Sequence, residues 1–447
     1  MIFHERAFLL ITYPLLCLLF HYFPKFRLQL ILLFSLLLVT FNGTQDLLIL
    51  MVSMLINYFF SRAAKNSELQ TKKICFYLSL LFNVALLVVC KINYHNWLAG
   101  VIPLGVSFYT FQQIGFQYDL FNKKIKQTFF SEYLFIISFF PHLAAGPIIV
   151  FKNILAQIRS EKWQTQPLSM TLPNLSLLVI GLAKKVLIAD QISPLVSQAY
   201  SSALNLHSQL NLEHLLLSTF GYGFQIYFDF SGYSDIAIAL ALILGIELPI
   251  NFNSPYKSRN IIDFWRRWHI SLSTFIREYF YNPLRKRFSG PHAKFIILFF
   301  VMTIVGLWHG IGWMFLLWGL AHGILLATNH FFNHANYRMP KVISFLLTYV
   351  SVNLLWLLFK NIDFNSALRL LQSIQNPAFT KTSLTLAVLF LTVTSAPNSM
   401  AIFGWVHNQF DNQKKSVRSF FVFCLIMIGV LVILFSEYQN EFIYFRF

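Results

Sequence analysis

The stretch IVGLWHGIGWMFLLWGLAHG, residues 304–323, decides how the rest of the chain must be read. Apart from its tryptophans and two histidines, His309 and His322, it is apolar over the roughly twenty residues a helix needs to cross a bilayer. Comparable runs recur along the chain, near 7–23, 28–41, 46–60, 74–90, 129–150, 212–228, 234–250, 295–308, 311–332, 342–359, 384–403 and 418–436. Of the 447 residues 57% are hydrophobic and 11% charged, where a soluble domain carries about a quarter charged. The runs are continuous and lack period-two alternation, which excludes a β-barrel reading. The sequence predicts an all-α polytopic membrane protein with about 10–12 transmembrane helices, some short enough to be re-entrant or interfacial.

The net charge of +17 is a topology signal and not a nucleic-acid one, because the basic residues sit in short loops between spans. Lys25 and Arg27 share one loop, and Arg62, Lys65, Lys72 and Lys73 share the next but one. The sparsely charged segments around Gln45 and Asn93 alternate with them, which places the N-terminus outside the cytoplasm. The first run has an acidic neighbour beside Arg6 and no small-residue cleavage site, so it reads as a retained helix. Cys17, Cys75, Cys90 and Cys424 are scattered singly and form no disulfide or metal pattern. HExxH, Walker-type, GxGxxG and GxSxG motifs are missing, which leaves no support for a metal site, nucleotide hydrolysis or a serine acyl-enzyme.

Polar residues become embedded in apolar surroundings between about 103 and 330. In YGFQIYFDFSGYSDIAIAL, residues 222–240, Asp229 and Asp235 need a partner or water to be tolerated in a membrane. They either cap helices and pair with an arginine from 259–277, or they line a polar cavity. Ser231, Gly232 and Ser234 suit a break between two helices. Residues 253–288 interleave aromatics, among them Trp265, Trp268 and Tyr279, with Arg266, Arg267 and Arg277, the pattern of helices lying at the cytoplasmic interface. His269 in that section reads as an amphipathic surface residue or as a group at a cavity mouth. His309, flanked by Trp308 and close to Gly306, Gly310 and Gly312, lies where the backbone thins and neighbours can approach. A buried neutral imidazole there can accept a proton from a hydroxyl group. Thirteen residues of unbroken helix would carry His322 about 20 Å further along and to nearly the opposite face. Only a sharp break after Gly312 would let the two meet, so His322 reads as a packed core residue.

Six segments resemble the membrane-bound O-acyltransferases, and within them the bacterial branch of alginate O-acetyltransferase proteins and their peptidoglycan and teichoic-acid relatives. They are PLGVSFYTFQQIGFQYDLF (103–121), FFPHLAAGPIIVFKNI (139–154), GLAKKVLIAD (181–190), the long stretch from YFDFSGYSDIAIAL to FIREYFYNPL (227–284), GLWHG (306–310) and FIYFRF (442–447). The resemblance implies one integral membrane domain over 1–447, with peripheral spans in 1–100, a catalytic core in 101–335 and C-terminal spans in 336–447. It implies a helical ring with a central tunnel near His309, the family's catalytic histidine at His309 and its second polar position at His269. Trp308, Asp229, Ser231, Asp235, Arg266, Arg267 and Arg277 become candidates for substrate and tunnel contacts, the arginines as phosphate contacts.

Further implications of the resemblance are a multi-pass protein of the bacterial inner membrane with no bound cofactor. The acyl donor would be acetyl-coenzyme A on the cytoplasmic side. The acceptor would be a hydroxyl of an exported or cell-surface polysaccharide, or of a periplasmic acetyltransferase or esterase-like partner protein, with membrane lipids around it. Alginate, another exopolysaccharide and peptidoglycan all fit as the polymer, and D-alanyl transfer to teichoic acid is a further relative's chemistry. The residues by themselves also fit a multi-pass transporter, which needs embedded aspartates, broken helices and a cavity just as an acyltransferase does.

Overall fold

The computed structural model of the chain describes residues 6–92, 102–126, 128–290, 292–335, 339–360, 362–377, 381–410, 413–434 and 442–443. Asn93 and residues 444–447 of the terminal motif lie outside them. Regular structure among the described residues is helical throughout. In chain order the longer helices are α1 (Phe8–Tyr22), α2 (Pro24–Asn42), α3 (Thr44–Ala63), α4 (Leu69–Ile92), α5 (Val106–Phe121), α6 (Leu172–Leu204) and α7 (Leu212–Ile243). Two short helices follow, α8 (Ile261–Arg267) and α9 (Ile270–Ile276). The last are α10 (Ala293–His309), α11 (Trp313–His334), α12 (Lys341–Phe359), α13 (Thr382–Ser395), α14 (Ser399–Phe410) and α15 (Ser416–Leu434).

Eight of these are long and apolar enough to cross a membrane: α2, α3, α4, α6, α7, α11, α12 and α15. The pair α13–α14, bent by 55°, adds a broken span, and α1 and α10 are shorter apolar helices. Burial separates the spans. The most apolar window of α7 is 94% buried, whereas those of α2, α3, α4 and α15 are 11–28% buried and turn most of their surface to lipid. A helix that is apolar on every side belongs at the centre of its bundle, and α7 occupies that place.

Three expectations need correction. The run at 129–150 is not one span: a helix over Phe130–Ser138 gives way to a single turn at Phe140–Leu143 and then to irregular backbone. Pro141 at the start of that turn and Pro147 after it limit helix continuation. The runs at 212–228 and 234–250 are one helix, and FSGYSD does not break it. Gly232 serves packing: a methyl there would stand 2.8 Å from the carbonyl oxygen of Gly181, so its missing side chain lets α7 touch α6 backbone to backbone. Helix α6 itself, 33 residues long, is not among the runs anticipated. Lys184, Lys185 and Asp190 interrupt its hydropathy, yet the fold neutralises them.

Candidate active site

Helices α10 and α11 form a hairpin whose seam is lined by glycines. GLWHG (306–310) and GLAHG (319–323) are both small-xxx-small motifs, the pattern that lets membrane helices approach closely. A methyl on Gly306 would lie 2.3 Å from the carbonyl oxygen of Phe315, and one on Gly319 would lie 2.5 Å from that of Met302. The hairpin turns at Gly310–Gly312, where a side chain at Gly310 would meet the Phe315 ring at 2.2 Å. The sharp break that the two histidines need in order to approach is therefore present, between His309 and Trp313.

The hairpin puts both imidazoles against one indole. His309, 3% exposed, has its ring centroid 5.4 Å from that of Trp318, and His322, fully buried, is 4.6 Å from the same ring. Phe359 of α12 lies 4.8 Å from His309 on another side, and Trp308 lies 4.7 Å away, stacked in turn on Phe111 of α5. The indole of Trp265 donates to Nδ1 of His322 at 3.4 Å. An indole nitrogen can only donate, so the proton of neutral His322 sits on Nε2. Three buried N–H groups of these rings, Trp308 Nε1, Trp318 Nε1 and His322 Nε2, have no hydrogen-bond partner among the described residues. Such donors in an apolar surround cost about 1–3 kcal/mol each when unmet, and a bound carbonyl or water would meet them.

A lysine that the sequence reading missed completes the hairpin. Lys91, at the end of α4, donates to the carbonyl oxygens of Trp308 at 2.5 Å and His309 at 3.2 Å. These are terminal carbonyls of α10, where a cation also meets the negative end of the helix dipole. The signal was a lone lysine at the sparsely charged end of an apolar run, opposite the basic loops.

His269 lies between α8 and α9 in a left-handed conformation, with φ of 43°, which costs a non-glycine residue on the order of 1 kcal/mol and is enriched at functional sites. Its Nδ1 lies 3.0 Å from Oδ1 of Asn251, whose amide nitrogen donates to Ser234 of α7 at 3.0 Å. The carbonyl end of Asn251 can only accept, so Nδ1 carries the proton and Nε2 the lone pair. The ring stands edge-on to Phe230 at 4.7 Å and is 1% exposed, and burial lowers its pKa to about 3. The surface alternative for His269 is thereby corrected. Trp268, Trp356 and Trp318 are in succession 4.9 Å and 6.1 Å apart, an aromatic chain leading toward His309.

The remaining candidates divide. Asp229 and Asp235 are buried in ion pairs, but with lysines of α6 and not with arginines of 259–277. Asp229 lies 2.8 Å from Lys185, which also holds Asp190 at 2.8 Å, and Asp235 lies 2.7 Å from Lys184. The second oxygen of Asp229 accepts the backbone N–H of Ile443 at 2.9 Å, and Phe442 stacks on Tyr233 at 4.6 Å. Ser231 is buried on the same helix. Arg267 pairs with Asp263 at 2.9 Å, while Arg266 and Arg277 are exposed. The aromatic residues expected as interface anchors turn inward: Trp268 is 1% and Tyr279 7% exposed. The section is amphipathic, but much of its apolar face packs on protein.

Comparison with known proteins shows the family of the chain. The family model of MBOAT, the membrane-bound O-acyltransferase family, matches residues 29–368. The chain is 34% identical over 397 residues to the peptidoglycan O-acetyltransferase of Helicobacter pylori, an alignment covering 78% of this chain and 73% of that protein. It is 33% identical over 275 residues to the probable alginate O-acetylase AlgI of Pseudomonas aeruginosa, covering 61% of this chain and 51% of the relative. With the teichoic acid D-alanyltransferase of Streptococcus thermophilus it shares 32% identity over 234 residues, covering 51% and 56%. The chain thus spans about half the length of the latter two.

Proposed function

We propose that this chain, which belongs to the membrane-bound O-acyltransferase family, moves an acetyl group from acetyl-coenzyme A in the cytoplasm to a hydroxyl group outside it. Membership makes it a multi-pass membrane O-acyltransferase. The acetyl group is favoured over D-alanine because the O-acetyltransferase of Helicobacter pylori matches more of the chain, 78% against 51% for the D-alanyltransferase. The acceptor is a hydroxyl of an exported or cell-surface polysaccharide, or of a periplasmic partner protein that passes the group on. The inner membrane is the place from which both sides are reached.

The observation that carries the mechanism is the hairpin apex, where a buried imidazole is ringed by N–H donors that have no hydrogen-bond partner among the described residues. His309 takes the proton of the acceptor hydroxyl as its oxygen attacks the thioester carbonyl carbon. The carbonyl oxygen gains charge and is met by the N–H groups of Trp308, Trp318 or His322, which need no reorganisation to receive it. Collapse breaks the carbon–sulfur bond, and the imidazolium returns its proton to the departing thiolate. His269, held by Asn251 with its lone pair on Nε2, orients the acceptor hydroxyl. The exposed Arg266 and Arg277 contact donor phosphates by charge-assisted hydrogen bonds, with Asp229 and Asp235 acting through the packing of α6 on α7.

The test is His309→Ala in purified protein reconstituted in liposomes, with labelled acetyl-coenzyme A inside and acceptor outside. Loss of general-base catalysis lowers acetyl transfer by about 100- to 10,000-fold while the variant elutes as the folded species. Undiminished transfer of label would reject His309 as the base. Unmodified solute crossing the membrane, with no label on acceptor, would reject acyl transfer in favour of transport.

A further inference from the structure

A cavity of about 360 Å³ opens where the end of α3, the start of α4 and the end of α5 converge. It lies far from His309. Lys72 in its wall and Lys91, which binds the His309 carbonyl, are on the same helix α4, and the 19 steps between them span about 28 Å. Lys72 belongs to the basic loop that the positive-inside rule places in the cytoplasm.

Four lysines contribute to the lining, Lys65, Lys72, Lys123 and Lys126. Among the described residues none of the four forms an ion pair, and the buried carboxylate nearby, Asp119, is occupied by Lys124 at 3.3 Å and the Tyr279 hydroxyl at 2.9 Å. Four ammonium groups on one cavity repel one another unless an anion joins them. A further polar group points to the same conclusion: the Thr128 hydroxyl also lines the cavity, belongs to a residue only 4% exposed, and has no hydrogen-bond partner among the described residues. Ser61, Asn66 and Gln117 also reach the cavity, and the remainder of the wall is apolar, with the Phe76 and Phe121 rings stacked at 4.9 Å and Phe116 beside them.

We propose that this cavity binds an anionic phospholipid of the cytoplasmic leaflet, its phosphate among the four lysines and the Thr128 hydroxyl and its glycerol and upper chain on the phenylalanines. Basic pockets between membrane helices on the cytoplasmic side recognise lipid headgroups in this manner. A soluble phosphate would satisfy the lysines but leave the aromatic wall unused, which favours the lipid.

The experiment uses the full chain, delipidated in detergent and titrated with phosphatidylglycerol or phosphatidylcholine while bound lipid is counted by native mass spectrometry. Wild type binds phosphatidylglycerol in preference to phosphatidylcholine, and each lysine replaced in the series Lys65→Gln, Lys72→Gln, Lys123→Gln and Lys126→Gln weakens it about fivefold. Thr128→Val, which keeps all four charges, weakens binding of the same lipid and serves as the second variant should the chain with all four lysines replaced fold poorly. Equal retention of phosphatidylglycerol by wild type and by variants of unchanged thermal stability would overturn the site. Displacement of the lipid by inorganic phosphate or coenzyme A at equal concentration would overturn the choice of lipid in favour of a soluble phosphate.

Discussion

Replacing Gly306 by alanine adds one methyl group to the seam of the α10–α11 hairpin, and the geometry says how far the seam must open. The new carbon would stand 2.3 Å from the Phe315 carbonyl oxygen and 3.1 Å from the Gly319 Cα. Carbon–oxygen contacts of this kind settle near 3.3–3.6 Å, so the helices part by about 1 Å at that level. Overpacking of this size costs about 1–3 kcal/mol, within what a folded protein can absorb. The catalytic consequence is larger. Gly306 lies one turn before His309, and the displacement moves the imidazole relative to Trp318 and His322 on the other arm. A shift of about 1 Å in a reacting group lowers rates by about 100-fold. The assay is initial acetyl transfer in proteoliposomes, normalised to protein that elutes as the folded species. Gly404→Ala supplies the control, because among the described residues no atom beyond its own helical turn lies within 4 Å of the added methyl there. Wild-type rates in a well-folded Gly306→Ala variant would refute the dependence of His309 on the glycine seam.

Three other outcomes are expected. Lys185→Met removes the ammonium that Asp190 and Asp229 share at 2.8 Å each; breaking a buried pair costs about 3–5 kcal/mol, to be read as a lower thermal midpoint in detergent, and an unchanged midpoint would contradict the structural role. Lys91→Met loses two charge-assisted hydrogen bonds to the end of α10, each contributing about 1.5–3 kcal/mol; transfer falls in kcat with little change in KM for the donor, Lys91→Arg restores part of it, and equal effects of Met and Arg would argue against a cation there. Burial holds the His269 pKa at about 3, below its unfolded value of about 6.5, so the unfolded chain binds the extra proton between the two. Stability from this group is complete above about pH 6.5 and is lost as pH falls toward 3, at up to about 1.4 kcal/mol per pH unit. His269→Asn, which tolerates the left-handed backbone, makes thermal stability less steeply pH-dependent, and an unaltered pH slope would contradict it.

What could be read from the sequence followed from hydropathy and from motifs, and what could not followed from pairing across the fold. The apolar runs announced α2, α3, α4, α11, α12 and α15 because each is apolar by itself. Helix α6 was hidden because the residues that spoil its hydropathy, Lys184, Lys185 and Asp190, are neutralised by partners up to 51 positions away. Gly232 illustrates the same difficulty in reverse: a glycine between serines fits a helix break and a close helix contact equally well, and only the neighbouring α6 decides between them. His309 was singled out by its motif. His322 was read as a packed core residue, and it is one, fully buried and hydrogen-bonded by Trp265; that it shares the Trp318 ring with His309 was not legible, because this depends on whether the glycines at 310 and 312 turn the chain, a property of two helices packing and not of one. Lys91 carried no motif at all, and the carbonyls it binds lie 217 and 218 residues further on.

The hydrogen bond between Asp229 and Ile443 sets an order of events during synthesis. The carboxylate is made 214 residues before the N–H that completes its surroundings, an interval of roughly 10–40 s at about 5–20 residues per second. Over that interval Lys185, already present, is the partner that lets α7 settle among its neighbours. Phe442 packs against Phe230 and Tyr233 once it too has been made. Phe442, fully buried, is consequently part of the interior of the bundle, and Phe442→Ala opens a cavity against α7 as a core substitution does.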